Sequence, residues 1–592
     1  MLCGIAGEVA FQGARADPAS VKRMARVLGD PNQHNSIWHD PWIALSQVPL
    51  QNDTSDNALQ PTIDADRDLA IVFSGQLFNQ AELLAQLSID YSLRSTTDAD
   101  IVLAAYDRWG EDFVERLLGS FAIAITDRRR QRVLLIRDRL GIQPLYIASL
   151  NGKLRFASTL PALAASGGIA TTIDPVALHH YMSWHSIVPA PRTILAGIKK
   201  LPPATIQLIE SDGQIRERVY WKPNYQRSAR YADWRREDWQ QAIHQALQTA
   251  VTRSQVPNEP PGVQLSGGLD SSLLVALLAE SGQQQISTFS IGFDDAGDNR
   301  GNEFRYSEKV ADAFGTDHHV LRLGASDVAD VLDDAVLAMA EPMASHDVPA
   351  FYLHAQSVVQ QAKSLQCGQG ADEIFAGYSY HGAAASIPRQ AALATFADSF
   401  VDNNHQDLAG ILNPQWLTHT DVSNELLAEA LDAPGADTAL DAVLRLETQL
   451  FLADDPVKRV TNMSMATGLE ACLPFLDHEL IELVIACPNE LKAAQGGKGI
   501  LKDIGRSLLP HDVIDRPKGY FPVPALGQLE GTILAKVREA LLAPEARERG
   551  LFRAGYLDTL LTNPNVYYVP TGGNTLWKLG VLELWLQHHD LG

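Results

Sequence analysis

Apolar positions in the first 210 residues fall in short runs broken by polar stretches. Leu69-Ala70-Ile71-Val72-Phe73, Phe121-Ala122-Ile123-Ala124-Ile125 and Val133-Leu134-Leu135-Ile136 are examples, and such runs predict strands. Segments 18–29 and 80–87 carry helix-like patterns. Strands with intervening helices predict a layered α+β domain over residues 1–210. Val188-Pro189-Ala190-Pro191 and Pro202-Pro203 punctuate its end. Residues 211–240 are polar and rich in Trp, Tyr and Arg, and a linker is expected there. From 241 to 592 strands alternate with long helices, as in a parallel α/β sheet. The strands include 262–265, 286–291 and 364–367, and beyond residue 385 the pattern is mainly helical. The expected fold class is therefore α/β, in two domains.

Composition narrows the choices. With 592 residues, 46% of them hydrophobic, the chain can bury two sizeable cores. A net charge of -23 and a pI near 5.1 repel polyanions, so nucleic acid is not an expected partner. The four cysteines, Cys3, Cys367, Cys472 and Cys487, form no Cys-x-x-Cys pair. That argues against a disulfide framework or structural zinc and for a reducing, cytoplasmic location. No secretory signal is visible and no apolar run reaches membrane-spanning length, so no membrane association is expected.

The most informative segment is Ser266-Gly267-Gly268-Leu269-Asp270-Ser271-Ser272, between the apolar stretch 262–265 and the helix-like run 273–279. A strand, a Gly-Gly turn and a helix start make a cradle for phosphate: glycines let the backbone approach, and free amides point at the anion. Hydroxyls of Ser266, Ser271 and Ser272 are expected to add donors, and Asp270 a hard oxygen ligand for Mg2+. The Gly-Lys-Ser/Thr ending of a Walker A loop is missing. The segment is similar to the pyrophosphate loop of ATP pyrophosphatases. A second glycine-rich segment runs from Cys367-Gly368-Gln369-Gly370-Ala371-Asp372 to Gly377-Tyr378. Asp372 is expected to share a Mg2+ with Asp270, and Gly368 and Gly370 to let the backbone pass close to a nucleotide.

With both motifs in place, the chain resembles the glutamine-dependent asparagine synthetase family almost end to end. Within it, the chain looks closest to the N-acetylglutaminylglutamine amidotransferase branch. That narrower likeness rests on Val188–Thr193, Glu341–Asp347, Asp455–Val460 and Arg516–Pro524. The resemblance implies an N-terminal Ntn-type glutaminase-like domain and a C-terminal ATP-pyrophosphatase synthetase domain. It also implies two-step chemistry: a carboxylate attacks the α-phosphate of ATP and releases pyrophosphate, then ammonia attacks the acyl-adenylate. By matching position, Lys518 looks like the lysine that stabilises transition-state charge. Leu265, Ile291, Gly368 and Gln369 join the nucleotide site. Glu470 is expected to pair with Lys518 or help deprotonate ammonium, and Glu341, His346 and Asp347 to build the acceptor pocket. Two departures stand out. Gln369 replaces the family's glutamate, and an amide cannot act as a base. Cys472 replaces an arginine. His318-His319 is expected to be structural, because adjacent side chains point apart.

Met1-Leu2-Cys3-Gly4-Ile5-Ala6-Gly7 resembles the start of class II glutamine amidotransferases, whose N-terminal cysteine is the nucleophile and its own amine the base. Here Leu2 precedes Cys3. The Arg-Gly-Pro-Asp motif aligns with Pro31-Asn32-Gln33-His34, and the carboxylate-binding arginine aligns with Pro49, which has neither charge nor donor. Ser74-Gly75 replaces the Asn-Gly oxyanion pair, and losing one such donor costs on the order of 3 kcal/mol. Asp98 survives where the family holds the glutamine amine. These residues predict a retained but largely inactive glutaminase domain.

The expected function is an ATP- and Mg2+-dependent ligase that joins a small-molecule carboxylate to ammonia or another amine, on a small peptide or acylated amino acid. Asparagine synthesis from aspartate, a specialised-metabolite synthetase using an organic amine, and a non-catalytic binding protein are the alternatives. A free-standing amidohydrolase using Cys3 is disfavoured by the missing glutamine-binding groups, and a homodimer is left open.

Overall fold

The computed structural model describes residues 3–29, 36–50, 60–89, 93, 95–256, 259–293, 304–516, 523–570 and 572–592. The chain divides into two units. The first comprises Met1–Asp174, Ala190–Lys222 and Met465–Gly468; the second comprises Pro175–Pro189, Pro223–Ser464 and Leu469–Gly592.

The strands of the first unit are β1 Gly4–Ala10, β2 Ile37–His39, β3 Ile43–Val48, β4 Thr62–Asp64, β5 Leu69–Leu77, β6 Gly119–Asp127, β7 Arg132–Arg137, β8 Tyr146–Leu150, β9 Lys153–Ala157, β10 Lys199–Lys200, β11 Thr205–Glu210 and β12 Ile215–Val219. They form two six-stranded antiparallel sheets, ordered β10-β8-β9-β1-β3-β2 and β12-β11-β7-β6-β5-β4. Strand periodicity assigns the layers, since alternate side chains leave opposite faces. On β5, Ala70 and Val72 meet Ile5, Leu45 and Phe156 of the other sheet. Leu69, Ile71 and Phe73 instead pack with Leu83, Ile101 and Tyr106 from the helices Gln80–Leu87 and Asp98–Trp109. The helices Pro18–Leu28 and Leu160–Ala165 cover the first sheet. The result is a helix–sheet–sheet–helix sandwich of the Ntn type. Arg137 and Asp138 lock one turn. The Asp138 carboxylate accepts from the amides of Phe121, Leu140, Ile142 and Gln143, and the Arg137 guanidinium donates to the carbonyls of Gly141, Gln143 and Leu201.

The expected boundaries shift. Residues 211–240 hold β12, which closes the edge of the second sheet against β11, and the helix Arg236–Arg253 begins before residue 241. Pro175–Pro189, expected in the first domain, belongs to the second unit. An exposed polar strand and a linker share one composition, and pairing partners distinguish them.

The second unit carries a parallel sheet of β13 Gly262–Gln264, β14 Ser287–Phe293, β15 Asp317–Leu323, β16 Ser364–Gln366 and β17 Glu470–Cys472, ordered β15-β14-β13-β16-β17. From β13 the chain first builds outward on one side and later returns to β16 on the other. The order thus reverses between β13 and β16, and the loops leaving those two strands open a crevice at the switch point. The helix Leu269–Glu280 follows β13 and is buried along Ser271–Leu278. The C-terminal helix Thr575–His588 is buried from Thr575 to Leu586, with its two buried charges paired, Lys578 to Asp402 and Glu583 to Arg549. His318 and His319 point to opposite faces of β15: His318 Nδ1 lies 2.8 Å from Thr288 Oγ1, and His319 stacks on Phe289. Among the described residues no cluster of three or more His, Cys, Asp or Glu side chains is arranged to hold a metal ion. Nor is any helix among them long and apolar enough to cross a membrane.

Candidate functional site

The turn after β13 is held by its own side chains. Gly267 has φ +71°, and a Cβ there would lie 2.5 Å from the Ser307 amide nitrogen, so only glycine fits. The Ser266 amide donates to Ser271 Oγ, the Gly268 amide donates to Ser266 Oγ, and the two hydroxyls lie 3.1 Å apart. Two of the three hydroxyls expected as phosphate donors therefore build the turn. Ser272 Oγ is buried in the helix. Gly268 caps the helix, leaving the first-turn amides at the crevice.

The loop after β16 closes against this turn. A Cβ on Gly368 would sit 3.2 Å from Asp270 Cβ. Asp270 and Asp372, 102 positions apart in sequence, converge on one ammonium: Lys498 Nζ lies 2.6 Å from Asp270 Oδ2 and 2.9 Å from Asp372 Oδ1. Burial alone would lower the lysine's pKa, but Asp270 and then Asp372 overcome it and hold the group well above the usual lysine range. Gly377 makes room for the pair, since a Cβ there would lie 2.1 Å from Asp372 Oδ1 and 2.3 Å from Lys498 Cε.

Around this triad lies a cavity of about 420 Å³. Leu265, Phe289 and Ile291 give it an apolar wall, and Lys498, Lys502, Arg459 and Arg516 give it cations. Ser266, Gly268, Asp270, Ser271, Gly368, Gln369 and Asp372 line it as well, so most of the expected nucleotide residues meet here. Gln369 Oε1 is buried with no hydrogen-bond partner among the described residues. Lys518 lies outside the described residues; Arg516, two positions earlier, reaches the cavity and sits over the Tyr306 ring. Lys498 was not among the expected site residues. Its only sequence signal is the glycine setting Gly496-Gly497-Lys498-Gly499.

A second cavity of about 410 Å³ shares Glu373, Tyr378, Pro456 and Arg459 with the first. His346 and Asp347, expected in an acceptor pocket, line it. The Arg459 guanidinium donates to Asp347 Oδ2 at 2.5 Å and to Ser345 Oγ at 2.9 Å, and also pairs with Asp455. Burial pushes the His346 pKa down to about 4, with His185 adding to the effect, so the imidazole is neutral at pH 7. Glu373 is buried and accepts from the Tyr378 hydroxyl at 2.7 Å; burial, then the charge of Asp372, raises its pKa.

Two expected residues lie elsewhere. Glu341 is buried against Lys458 at 3.1 Å, and Glu470 sits on the outer strand β17 beside Ser364; the described lining of both cavities is built without them. Cys472, on the same strand, is buried, with its thiol pKa raised by that burial.

In the first unit, Cys3 is buried just before β1. β1 and β3 are paired Gly4 to Val48, and one further step in that register brings Pro49 opposite Cys3. Ser74 and Gly75 lie on β5, where Gly75 has φ +119° and a Cβ would meet the Ser120 carbonyl oxygen at 2.0 Å. Asp98 stands near the end of that strand. Its carboxylate accepts from the Leu77 amide at 3.2 Å and from Gln80 Nε2 at 2.5 Å, and burial raises its pKa to about 6. The aligned Pro31–His34 segment lies outside the described residues.

A switch-point crevice with a glycine-bearing turn at a helix start, paired aspartates and a buried lysine, joined in one chain to an Ntn-type sandwich, defines the class: an ATP-dependent carbon–nitrogen ligase of the amidotransferase type. The asparagine synthase family profile matches residues 242–587, and the glutamine amidotransferase domain profile matches residues 2–221. The chain belongs to the asparagine synthase family. Asparagine synthetase [glutamine-hydrolyzing] 3 of Bacillus subtilis (strain 168) is 28% identical over 550 residues, covering 88% of this chain and 87% of that protein. Asparagine synthetase [glutamine-hydrolyzing] 1 of the same organism is 26% identical over 583 residues, covering 91% and 90%. Amidase chyE of Penicillium rubens is 25% identical over 568 residues, covering 83% of each.

Proposed function

We propose that the enzyme adenylates the carboxylate of a small peptide or acylated amino acid, releases pyrophosphate and transfers ammonia or another amine to the activated carbonyl, as in N-acetylglutaminylglutamine amide synthesis. The observation that carries this is the convergence of Asp270, Asp372 and Lys498 where the two glycine-bearing loops meet. Two carboxylates that reach one cation fit a divalent ion shared with phosphates. When bound, Mg2+ held by Asp270 and Asp372 supplies charge neutralisation at the phosphates. The residues divide the remaining work. Helix-start amides beyond Gly268 receive the pyrophosphate, Lys502 and Arg516 add positive charge, and Leu265, Phe289 and Ile291 take the flat base. Lys518 keeps its expected role as the charge-stabilising lysine.

As the substrate carboxylate oxygen bonds to the α-phosphorus, the bond to the bridging oxygen of pyrophosphate breaks. The Lys498 ammonium stands beside that displacement and holds charge without moving a proton, since its pKa lies far above neutrality.

For the first unit we propose a largely inactive glutaminase. Pro49 opposite Cys3 offers no cation for a glutamine carboxylate, and the Asp98 carboxylate already accepts from Gln80 and Leu77. A pyrophosphate-release assay with ATP, Mg2+ and candidate carboxylates tests both halves. The expected outcome is release that depends on ammonia or an amine, with Cys3→Ala leaving it unchanged. Glutamine-dependent turnover that disappears in Cys3→Ala refutes the view of the first unit, and no pyrophosphate release with any carboxylate refutes the ligase proposal. Aspartate as substrate is the second reading, favoured by the names of the Bacillus relatives; asparagine formation in the same assay would establish it.

A further inference from the structure

We infer that the second cavity binds a primary organic amine larger than ammonia, as its ammonium ion, and delivers that amine to the acyl-adenylate. This rests on the adenylating function proposed above and names its nitrogen substrate.

The charge balance of the wall comes first. Among the described residues that line it, Asp347, Glu447 and Asp455 face one guanidinium, that of Arg459, which Asp347 and Asp455 already engage. His346 adds no charge at neutral pH, because burial keeps it deprotonated. An anionic ligand would meet this excess of carboxylates and an arginine already in use, whereas a cation meets complementary charge.

The walls add shape. Tyr378 and Tyr380 stack with ring centroids 5.4 Å apart, and Phe400 and Phe451 stack at 5.0 Å. Aromatic faces attract cations and bury apolar stems, and a 410 Å³ space far exceeds what ammonia needs. The backbone is unusual at the same place. Glu447–Phe451 and Ala453–Val457 are π-helical turns, the second containing Pro456, which has no amide hydrogen to donate to a regular helix. These turns set Glu447, Phe451, Asp455 and Pro456 along one wall. Glu447 is held from behind by the Tyr380 hydroxyl at 2.5 Å and by His381 Nε2 at 2.8 Å.

The shared wall makes delivery direct. Glu373 and Tyr378 border both cavities. The ammonium first gives one proton to water. The free amine then attacks the acyl carbon, forming the C–N bond. The C–O bond to AMP breaks and AMP leaves with that electron pair, and the nitrogen loses its second proton to water. Two protons leave the nitrogen, and no oxidant or reductant is required.

The test is isothermal titration of the full chain with 2-phenylethylamine, its neutral counterpart 2-phenylethanol, the anion 3-phenylpropionate, and ammonium chloride. The amine is expected to bind at least tenfold tighter than the other three. Glu447→Gln should weaken it at least tenfold. Ser399→Arg, at an exposed position on the cavity lining, should do the same without disturbing the buried Glu447 pair. ATP binding should be unchanged in both variants. Equal or tighter binding of 3-phenylpropionate, or no amine binding by a chain that still binds ATP, overturns the inference. Amine binding by a chain that binds no ATP would sink the ligase proposal and leave the cavity assignment standing.

Discussion

Replacing Lys498 by methionine removes the cation between Asp270 and Asp372 and keeps most of its volume. The two carboxylate oxygens that share it can be no farther apart than the two contacts laid end to end, about 5.5 Å. Two unit negative charges at that separation repel by about 3 kcal/mol at an effective dielectric constant of about 20. The side chains of Lys498, Asp270 and Asp372 are only 10%, 21% and 21% exposed, so solvent screens little of this. Lys498→Met is therefore expected to lose about 3 kcal/mol of apparent stability without added metal, measured as a shift in the urea unfolding midpoint. It should also gain Mg2+ affinity, because a divalent ion now relieves the repulsion that the lysine relieved before. Titration calorimetry with Mg2+ and unfolding curves with and without Mg2+ read the two effects independently. A variant that unfolds at the wild-type midpoint and binds Mg2+ no better than wild type would refute the claim that these carboxylates form one cation site.

Two further outcomes follow from other contacts. Asp98 has a folded pKa of about 6 against an ordinary 3.8, so the folded state retains a proton that the unfolded chain releases. Its contribution is full below about pH 4 and is lost as pH rises through about 6, by about 3 kcal/mol for a shift near two units. Asp98→Asn should thus raise the unfolding midpoint at pH 7.5 and change it little at pH 4; an equal effect at both would contradict the burial argument. Gly267→Ala puts a Cβ 2.5 Å from the Ser307 amide nitrogen at φ +71°, so the turn must open. The expected cost is about 1–3 kcal/mol of stability together with a tenfold or greater loss of ATP affinity; fluorescence titration with a labelled nucleotide at wild-type affinity would contradict it.

Local chemistry made the main elements legible in the linear chain. The apolar runs at 69–73, 121–125 and 133–136 are strands, and 18–29 and 80–87 are helical but for a residue or two at an end. The Ser266–Ser272 turn is where its glycines and flanking apolar stretches require it, because φ preference and strand-to-helix patterning act over a few residues. The placement of Asp270 beside Asp372 followed from two recognisable loops. What the sequence left open depended on distant contacts. Lys498 meets Asp270 across 228 positions, and Arg459 meets Asp347 across 112. Glu341 is turned away by Lys458, 117 positions on, and Ser266 and Ser271 spend their hydroxyls on each other. Residue type states what a side chain can donate, accept or carry; which partner satisfies it is decided by the packed chain, because a buried charge or hydroxyl takes the nearest complementary group that folding brings to it.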